Sequence, residues 1–327
     1  MNGKIRWGIL STGNIARQFA RALTYVPDAE LLAVGSRDLA TAITFAKEFG
    51  VPRRHGSYAA LAADPDVDVV YVATPHPFHK EKALLCLEAG KAVLCEKPFT
   101  MNAREAEELI AAARRKRVFL MEAMWSRFIP AMVKARDLLR AGAIGAVHML
   151  QADFGFRAFF DPKNRFFAPE LGGGALLDVG VYCVSLASMT FGAPSRVAAM
   201  AQMAKTGVDE LSAMILGYDG GQLAVLSTAL NTQTTCDAIF LGADGRLRIH
   251  NPWFKAEKLT LSRQGKADEV IEIPCEGNGY NYEVVEVQNC LRAGKIESET
   301  LPLDECLAII RTMDQIRAQW GLKYPME

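Results

Sequence analysis

The sequence predicts an α/β protein of two domains, an N-terminal doubly wound parallel sheet and a C-terminal α/β domain with a large, mostly antiparallel open sheet. Three observations support this prediction. The chain has 327 residues, too many for one ordinary hydrophobic core. Short apolar runs alternate with helical patterns in the first part, whereas strand patterns follow one another in the second. We therefore expect one domain over residues 1–125 and another over 126–327.

Short apolar runs in the first domain predict buried strands, and apolar residues at helical spacing predict the helices between them. The predicted strands are Ile5–Leu10, Leu31–Val34, Val67–Val72, Ala92–Cys95 and Phe119–Met124. Helices are predicted after the first strand and over Leu39–Phe49, Pro77–Ala89 and Ala103–Arg117. Strands that are apolar throughout and separated by helices are typical of a parallel sheet covered on both faces.

The second domain shows one helix and then a run of strand patterns joined by turns such as Asp219-Gly220-Gly221. The helix is predicted over Ala131–Arg140. The strands are predicted over Val147–Phe156, Arg196–Ala204, Leu211–Tyr218, Gln222–Leu230, Asp237–Leu241, Arg246–Ile249, Lys258–Leu261 and Val270–Ile273. Two final helices, Tyr282–Arg292 and Leu303–Trp320, close the chain, and the last could pack back on the first domain.

The composition gives no sign of a nucleic-acid or membrane partner. Lys plus Arg equals Asp plus Glu, so the net charge is zero. No charged-then-apolar leader opens the chain, and no apolar run approaches the ~18 residues that span a bilayer. The seven cysteines are scattered without metal-ligand spacing, which predicts buried reduced thiols, no metal and a cytoplasmic location.

A glycine-containing turn joins the first strand to the first helix. Ser11, Gly13 and Ala16 occupy the three positions of the G-x-G-x-x-G/A dinucleotide fingerprint, with serine replacing the first glycine. Gly13 lets the backbone approach a pyrophosphate, which the free N–H groups of the helix N-terminus attract. This pattern predicts a Rossmann nucleotide site formed by Ser11, Thr12, Gly13, Asn14 and Ile15. A tight turn without a ligand is the alternative.

The end of the second strand favours NADP over NAD. NAD enzymes place an acidic residue there to bind the ribose 2′-OH. This chain has Ser36 and Arg37, whose hydroxyl and guanidinium can hold a 2′-phosphate. The alternative is that Arg37 is a solvated loop residue and Asp38 caps the next helix.

Three further stretches resemble the glucose–fructose oxidoreductase and inositol dehydrogenase-like (Gfo/Idh/MocA) family. They are Thr74-Pro75-His76-Pro77-Phe78-His79, Ala92-Val93-Leu94-Cys95-Glu96-Lys97-Pro98, and the triple glycine that leads to Asp178 and Tyr182. Within the family, Met121–Phe128 and Arg165-Phe166-Phe167 resemble the branch of dimeric dihydrodiol dehydrogenases and NADP-dependent D-xylose dehydrogenases. The resemblance runs from residue 5 to about 195, and beyond residue 200 only the general layout matches.

The resemblance implies a hydride transfer between NADP and a carbohydrate, polyol or cyclic trans-diol, with Lys97 and Tyr182 at the chemical step. A free tyrosine has a pKa near ~10, so a phenolate base at neutral pH needs a neighbouring cation such as Lys97. Asp178 lies one helical turn before Tyr182 and either shares its pocket or keeps Lys97 charged. Thr74, Pro75, His76 and Glu96 are expected at the cofactor, with His79 either structural or beside the nicotinamide.

Aromatic and basic residues after the first domain are candidates for the substrate pocket. Trp125, Arg127, Phe154 and Phe156 suit the apolar C–H faces of a sugar or cyclic diol, although interdomain core is an equal interpretation for the phenylalanines. The segment Arg157–Pro169 resembles a loop that covers the cofactor, with Arg165 as a nicotinamide or phosphate contact. An open sheet would expose a large face, which predicts a homodimer or higher homo-oligomer.

Two other functions fit the same fold. An NAD-dependent glycosidase of the family is disfavoured by Arg37 and Tyr182. A non-catalytic NADP-binding regulator is disfavoured by the intact Lys97 and Tyr182, because a sensor need not keep an acid/base pair. The sequence does not identify the substrate or the physiological direction.

Overall fold

The computed structural model describes residues 3–327, which fold into two compact units. One unit runs up to Trp125 and takes in Glu276–Leu307, and the other comprises Ser126–Cys275 and Ala308–Glu327. In chain order the strands are β1 Ile5–Leu10, β2 Ala29–Gly35, β3 Arg53–His55, β4 Val69–Val72, β5 Ala92–Glu96, β6 Leu120–Ala123, β7 Val147–Gly155, β8 Arg196–Met203, β9 Asp209–Gly217, β10 Leu223–Ala229, β11 Ala238–Gly242, β12 Gly245–Ile249, β13 Lys258–Arg263 and β14 Glu269–Glu272. The helices are α1 Asn14–Leu23, α2 Leu39–Phe49, α3 Tyr58–Ala62, α4 His79–Glu88, α5 Ala103–Lys116, α6 Pro130–Arg140, α7 Val181–Phe191, α8 Asn281–Arg292 and α9 Leu303–Ala318.

The first unit contains a six-stranded parallel sheet in the order β3-β2-β1-β4-β5-β6. The order reverses between β1 and β4, and this switch point is where open α/β sheets bind nucleotides, at the carboxyl ends of their strands. Every residue of β4 and β5 is buried, which explains why both were visible as continuous apolar runs. The predicted doubly wound sheet is confirmed.

The predicted strands and helices of the first unit agree with the structure to within a few residues, but two short elements were missed. The strand β3 has only three residues, and its sequence Arg-Arg-His carries no apolar signal. The helix α3 has five residues, beginning after the capping hydroxyl of Ser57. Gly50 ends α2 in the left-handed conformation that glycine commonly adopts after a helix.

The second unit contains an eight-stranded sheet in the order β14-β13-β12-β11-β7-β10-β9-β8. Its neighbours are antiparallel except for β7 and β10, which are parallel. The predicted large, mostly antiparallel sheet is confirmed. Along β9, Ser212, Met214 and Leu216 are buried whereas Ala213 and Ile215 are exposed, so one face packs on helices and the other is open.

The expectation that no segment is apolar enough to span a bilayer needs correction. Among the described residues, Pro169–Phe191 is long and apolar enough by length and composition, but 78% of its most apolar window is buried inside the fold. The segment includes a π-helical turn, Leu176–Gly180, that leads directly into α7. Its hydrophobicity therefore reflects a core helix. All seven cysteines are free; six are buried, as predicted, and Cys275 is partly exposed.

Candidate active site

The turn after β1 forms an open cradle at the N-terminus of α1. Ser11 adopts a left-handed φ of 102°, and Gly13 occupies the N-cap position. Within residues 3–327, no side chain caps this helix, and a Cβ on Gly13 would meet nothing closer than the Ser11 hydroxyl at 4.0 Å. Free backbone N–H groups beside an open backbone surface suit a pyrophosphate.

The carboxyl end of β2 places Ser36 and Arg37 side by side. Ser36 is buried and Arg37 is exposed, without a salt bridge to any described residue. Asp38 caps α2, since its carboxylate accepts from the N–H groups of Ala40 and Thr41 and from the Thr41 hydroxyl. This cap is the role that the alternative interpretation of the Ser36-Arg37-Asp38 segment assigned to Asp38. The carboxylate that follows Ser36 and Arg37 in sequence is therefore already bound to the N-terminus of α2.

The segment after β4 contains Thr74, a candidate contact for the cofactor, and His79, a structural histidine. The buried Thr74 hydroxyl has no hydrogen-bond partner among the described residues. Pro75 precedes the short helical turn that begins at His76, which is also buried. The ring nitrogens of His79 face two backbone carbonyls, Pro98 at 2.8 Å and Thr74 at 2.9 Å. Of its two predicted roles, the structure supports the structural one, because each ring nitrogen lies at hydrogen-bond distance from a backbone carbonyl.

Burial lowers the pKa of His79 to about 4, although its two carbonyl neighbours act in the opposite direction and the charge of Lys97 lowers it further. A neutral imidazole carries one N–H, so the ring donates to one of the two carbonyls. His79, the first residue of α4, therefore hydrogen-bonds to one of two backbone segments, the one after β4 or the one after β5. In neither case does it add a positive charge beside Lys97.

Glu96 ends β5 and Lys97 follows it, at the same sheet edge as the glycine turn. The two Glu96 oxygens have different donors, the Tyr71 hydroxyl at Oε1 and the Lys97 backbone N–H at Oε2, 3.1 Å away. Tyr71 is fully buried and stacks on Phe19 of α1 with ring centroids 3.7 Å apart. Lys97 itself is only partly buried. The predicted cofactor residues Glu96, Thr74 and Gly13 thus all follow strands of one sheet.

In the second unit, Tyr182 lies near the start of α7 among aromatic rings. Its ring centroid is 5.4 Å from that of Phe154 and 6.0 Å from that of Phe254, and these two phenylalanines stack at 3.9 Å. Asp178, in the π-helical turn, accepts from Arg165 Nη1 at 2.8 Å. The Arg165 side chain is half exposed and also covers the Phe166 ring.

The other predicted substrate residues have defined neighbours within their own units. Arg127 is 2% exposed, and it donates from Nε to the Ser185 hydroxyl and from Nη2 to the Ser185 carbonyl. It therefore anchors α7, and direct contact with a substrate stays a prediction. Trp125 is buried and stacks on Tyr280 at 4.7 Å. Phe156 packs edge-on against Phe166, not against Tyr182.

Three residues near the predicted site were missed by sequence reasoning. Phe254 lies in a short helical turn two residues after Pro252, and its aromatic character is the one signal in the sequence that could have indicated a pocket. Tyr280 immediately precedes α8, in a segment that the sequence assigned to the other domain. Glu283 is fully buried, and burial together with the charge of Glu96 holds the pKa of its carboxyl well above the usual range.

Among residues 3–327, no group of three or more His, Cys, Asp or Glu side chains could hold a metal ion.

Two family models match the chain, and together they span both units. The first, an oxidoreductase family with an NAD-binding Rossmann fold, matches residues 5–124. The second, a GFO/IDH/MocA C-terminal domain, matches residues 132–250. The chain is 40% identical to trans-1,2-dihydrobenzene-1,2-diol dehydrogenase of Mus musculus and 37% identical to that of Homo sapiens, covering 99% of this chain and 99% of the relative in both cases.

Solved structures of similar fold include two oxidoreductases. An aldose–aldose oxidoreductase from Caulobacter crescentus superposes with a TM-score of 0.88 at 26% identity, covering 98% of each chain. A 3-ketoreductase from Actinomadura kijaniata, in complex with NADP and TDP-benzene, gives 0.86 at 29% identity and covers 97% of this chain and 98% of its own. The chain therefore belongs to the GFO/IDH/MocA family of oxidoreductases and is an NAD(P)-dependent dehydrogenase of that family.

Proposed function

We propose that this dehydrogenase transfers a hydride between NADP and a CH–OH carbon of a carbohydrate, polyol or cyclic trans-diol. The observation that carries the proposal is the carboxyl edge of the parallel sheet, where an uncapped helix, an orphaned Thr74 hydroxyl and Lys97 follow β1, β4 and β5. The relatives that share the whole length of the chain are named as diol dehydrogenases.

The choice of NADP is supported by the end of β2. Ser36 and Arg37 supply a hydroxyl and an unpaired guanidinium where a 2′-phosphate would lie, and the Asp38 carboxylate is committed to the N-terminus of α2. A similar ketoreductase is solved with NADP. We expect Gly13 and the first turn of α1 to hold the pyrophosphate, and Thr74 to bind the nicotinamide side.

The bound cofactor would supply the hydride chemistry, and the protein would position the substrate and move the proton. In oxidation, we propose that the Tyr182 phenolate takes the hydroxyl proton while the Lys97 ammonium stabilises the developing charge. Asp178 would orient Arg165, with which it forms an ion pair in the structure. In reduction, Tyr182 returns the proton to the carbonyl oxygen.

The aromatic surroundings of Tyr182 support a ring-shaped substrate. Phe154 and Phe254 present flat apolar surfaces beside the phenol. Such surfaces suit the C–H face of a pyranose or a cyclohexadiene diol. The polar hydroxyls of the same ring would then point to Tyr182.

We also propose that two copies of the chain associate through the open face of the eight-stranded sheet. Across that face, Ala198, Ile215, Val225, Gln151 and Ile239 follow one another in register from β8 to β11, so four of five positions are apolar. A stripe of this kind on an uncovered sheet favours a self-complementary dimer. Sedimentation velocity is expected to give a dimer, and Ile215→Glu with Val225→Glu to give a monomer. A wild-type monomer at micromolar concentration would contradict the proposal.

The function is tested by absorbance kinetics at 340 nm with NADP and NAD across D-xylose, D-glucose, myo-inositol and a trans-dihydrodiol. Loss of a charged hydrogen bond costs about 1.5–3 kcal/mol, so Arg37→Ala should lower kcat/KM for NADP by roughly 10-fold to 100-fold and leave NAD unchanged. Arg140→Ala, on the exposed end of α6, is the matched control. Equal losses with both cofactors would contradict the 2′-phosphate assignment. Binding of NADP without turnover of any substrate would favour the regulator.

A further inference from the structure

A buried carboxylate lies under the start of the helical stretch that carries Tyr182. Asp209 is fully buried, and its Oδ2 accepts from the backbone N–H of Leu176 at 2.7 Å. Leu176 begins the π-helical turn that continues into α7. Within the described residues, the second oxygen, Oδ1, has no hydrogen-bond partner. Asp209 therefore hydrogen-bonds through one carboxylate oxygen to one backbone N–H, that of Leu176.

A β-bulge directs Asp209 toward the helix. The inward side chains of β9 are the even-numbered Ser212, Met214 and Leu216, so regular alternation would turn Asp209 outward. The pairing shifts between Gln202 and Met203 of β8, which face Leu211 and Asp209, so that β9 contains an extra residue at this point. Bulges commonly redirect a side chain in this way. The inward direction of Asp209 is thus built into the pairing of two strands.

A second buried group holds the chain just before Leu176. The Tyr324 hydroxyl donates to the Gly173 carbonyl at 2.7 Å, and its phenol is 3% exposed. Arg317 fixes this C-terminal segment, donating from Nη1 to Glu327 at 2.5 Å and from Nη2 to Asp314 at 2.7 Å. Gly174 has a φ of 119°, and a Cβ there would collide with the Asp209 carboxylate.

The π-helical turn explains why this anchoring matters for Tyr182. The Val181 N–H donates to the Leu176 carbonyl, five residues back, where an α-helix would use a spacing of four. Each residue of an α-helix turns about 100° around the axis, so relaxation of the wide turn to α spacing would rotate Tyr182 by roughly that angle. Holding the first residues of the turn keeps the wide spacing in place.

We propose that Asp209 and Tyr324 form a helix clamp, a pair of positioning residues that fix the direction of the Tyr182 hydroxyl. The inference rests on the proposed function of Tyr182 as the acid/base group. Neither residue touches substrate or cofactor in this account. Their loss should lower the rate of the chemical step and leave the binding of both ligands almost unchanged.

The test compares Asp209→Ala, Asp209→Asn and Tyr324→Phe with the wild type, using kcat, KM and the Kd for NADPH. Asp209→Ala removes the acceptor and is expected to lower kcat at least about 10-fold with KM within about threefold. A misplacement of about 1 Å can cost roughly 100-fold in rate. Asp209→Asn keeps an acceptor oxygen and should restore kcat to within about threefold of the wild type. Tyr324→Phe, which removes one hydroxyl and is expected to fold, should lower kcat by a few-fold.

Two controls separate positioning from general destabilisation. Leu247→Ala empties a buried site on β12 of the same unit and should leave kcat unchanged below its unfolding temperature. Hydrogen exchange of the Leu176–Val181 amides should accelerate in Asp209→Ala but not in Leu247→Ala, whatever the activity. If the wild type is active and either Asp209→Ala or Tyr324→Phe leaves kcat unchanged, the helix clamp is contradicted and the proposed function is not. If Asp209→Ala does not fold, Tyr324→Phe decides. An inactive wild type instead contradicts the proposed function.

Discussion

The surroundings of Lys97 and of Tyr182 differ in how they hold an acid/base group. Lys97 follows a strand, where the backbone has unsatisfied groups, and it is surrounded by polar side chains that bind backbone: Glu96 takes its N–H and His79 faces the next carbonyl. Tyr182 is in a helix that satisfies its own backbone. Its neighbours are aromatic, and the polar anchors act on the helix start and on Ser185. A strand end requires polar support at the residue itself, whereas a helix requires it only at irregular points.

The two regions also respond to pH in opposite directions. His79 is buried neutral, with a pKa lowered from 6.5 to about 4, so its stabilising contribution is present above 6.5 and lost as the pH falls through 4. Burial raises the pKa of Asp209 from 3.8 to about 6, so its contribution is present below 3.8 and lost as the pH rises through 6. The titratable group that faces Asp209 is the Tyr324 phenol. Between about pH 4 and 6 the two effects oppose each other.

The largest expected effect on stability comes from substituting His79 and Asp209 one at a time. The pKa differences are about 2.5 for His79 (6.5 to 4) and about 2.2 for Asp209 (3.8 to 6), and each corresponds to roughly 3 kcal/mol at 1.36 kcal/mol per pKa unit. The quantity to compare is the free energy of unfolding at pH 7 minus that at pH 4. This difference should be larger in Asp209→Asn than in the wild type, and smaller in His79→Gln by a similar amount. Urea unfolding at both pH values measures the two differences.

Subtracting the wild-type value from that of each variant removes the contribution of the other buried acids to the pH dependence of unfolding. Glu283, whose pKa is also raised by burial, contributes equally to all three proteins and cancels. The double variant should show the sum of the two changes, because the residues lie in different units. If both single variants changed the pH dependence of unfolding in the same direction, the opposite roles assigned to His79 and Asp209 would be contradicted.

A smaller effect is expected from the aromatic rings that surround Tyr182. Phe254→Leu removes the ring stacked on Phe154 while keeping an apolar side chain. An aromatic pair contributes about 0.5–1.5 kcal/mol beyond its buried area, so kcat/KM for a cyclic substrate should fall by roughly threefold to tenfold. Phe191→Leu, which loses the Tyr218 contact at the far end of α7, is the matched control. Equal losses in both variants would show that α7 is only destabilised.

The parallel sheet was predictable because its strands are buried on both faces and appear as apolar runs. The same signal is absent from β3, which has three polar residues, so that strand was missed. The nucleotide turn and Asp38 were predictable because glycine spacing and helix capping are local. Asp209 was not, since its inward direction depends on a register shift between β8 and β9. Phe254 and Tyr280 reach their partners only through tertiary packing.

The most direct test of the central claim is single-turnover hydride transfer in Tyr182→Phe and Lys97→Met, with the Kd for NADPH measured separately. General acid–base catalysis contributes about 100-fold to 10,000-fold, so we expect a loss of that order in Tyr182→Phe with the Kd for NADPH unchanged. Lys97→Met should show a comparable loss. A Tyr182→Phe enzyme that transfers hydride at the wild-type rate would contradict the assignment of Tyr182 as the proton donor and acceptor.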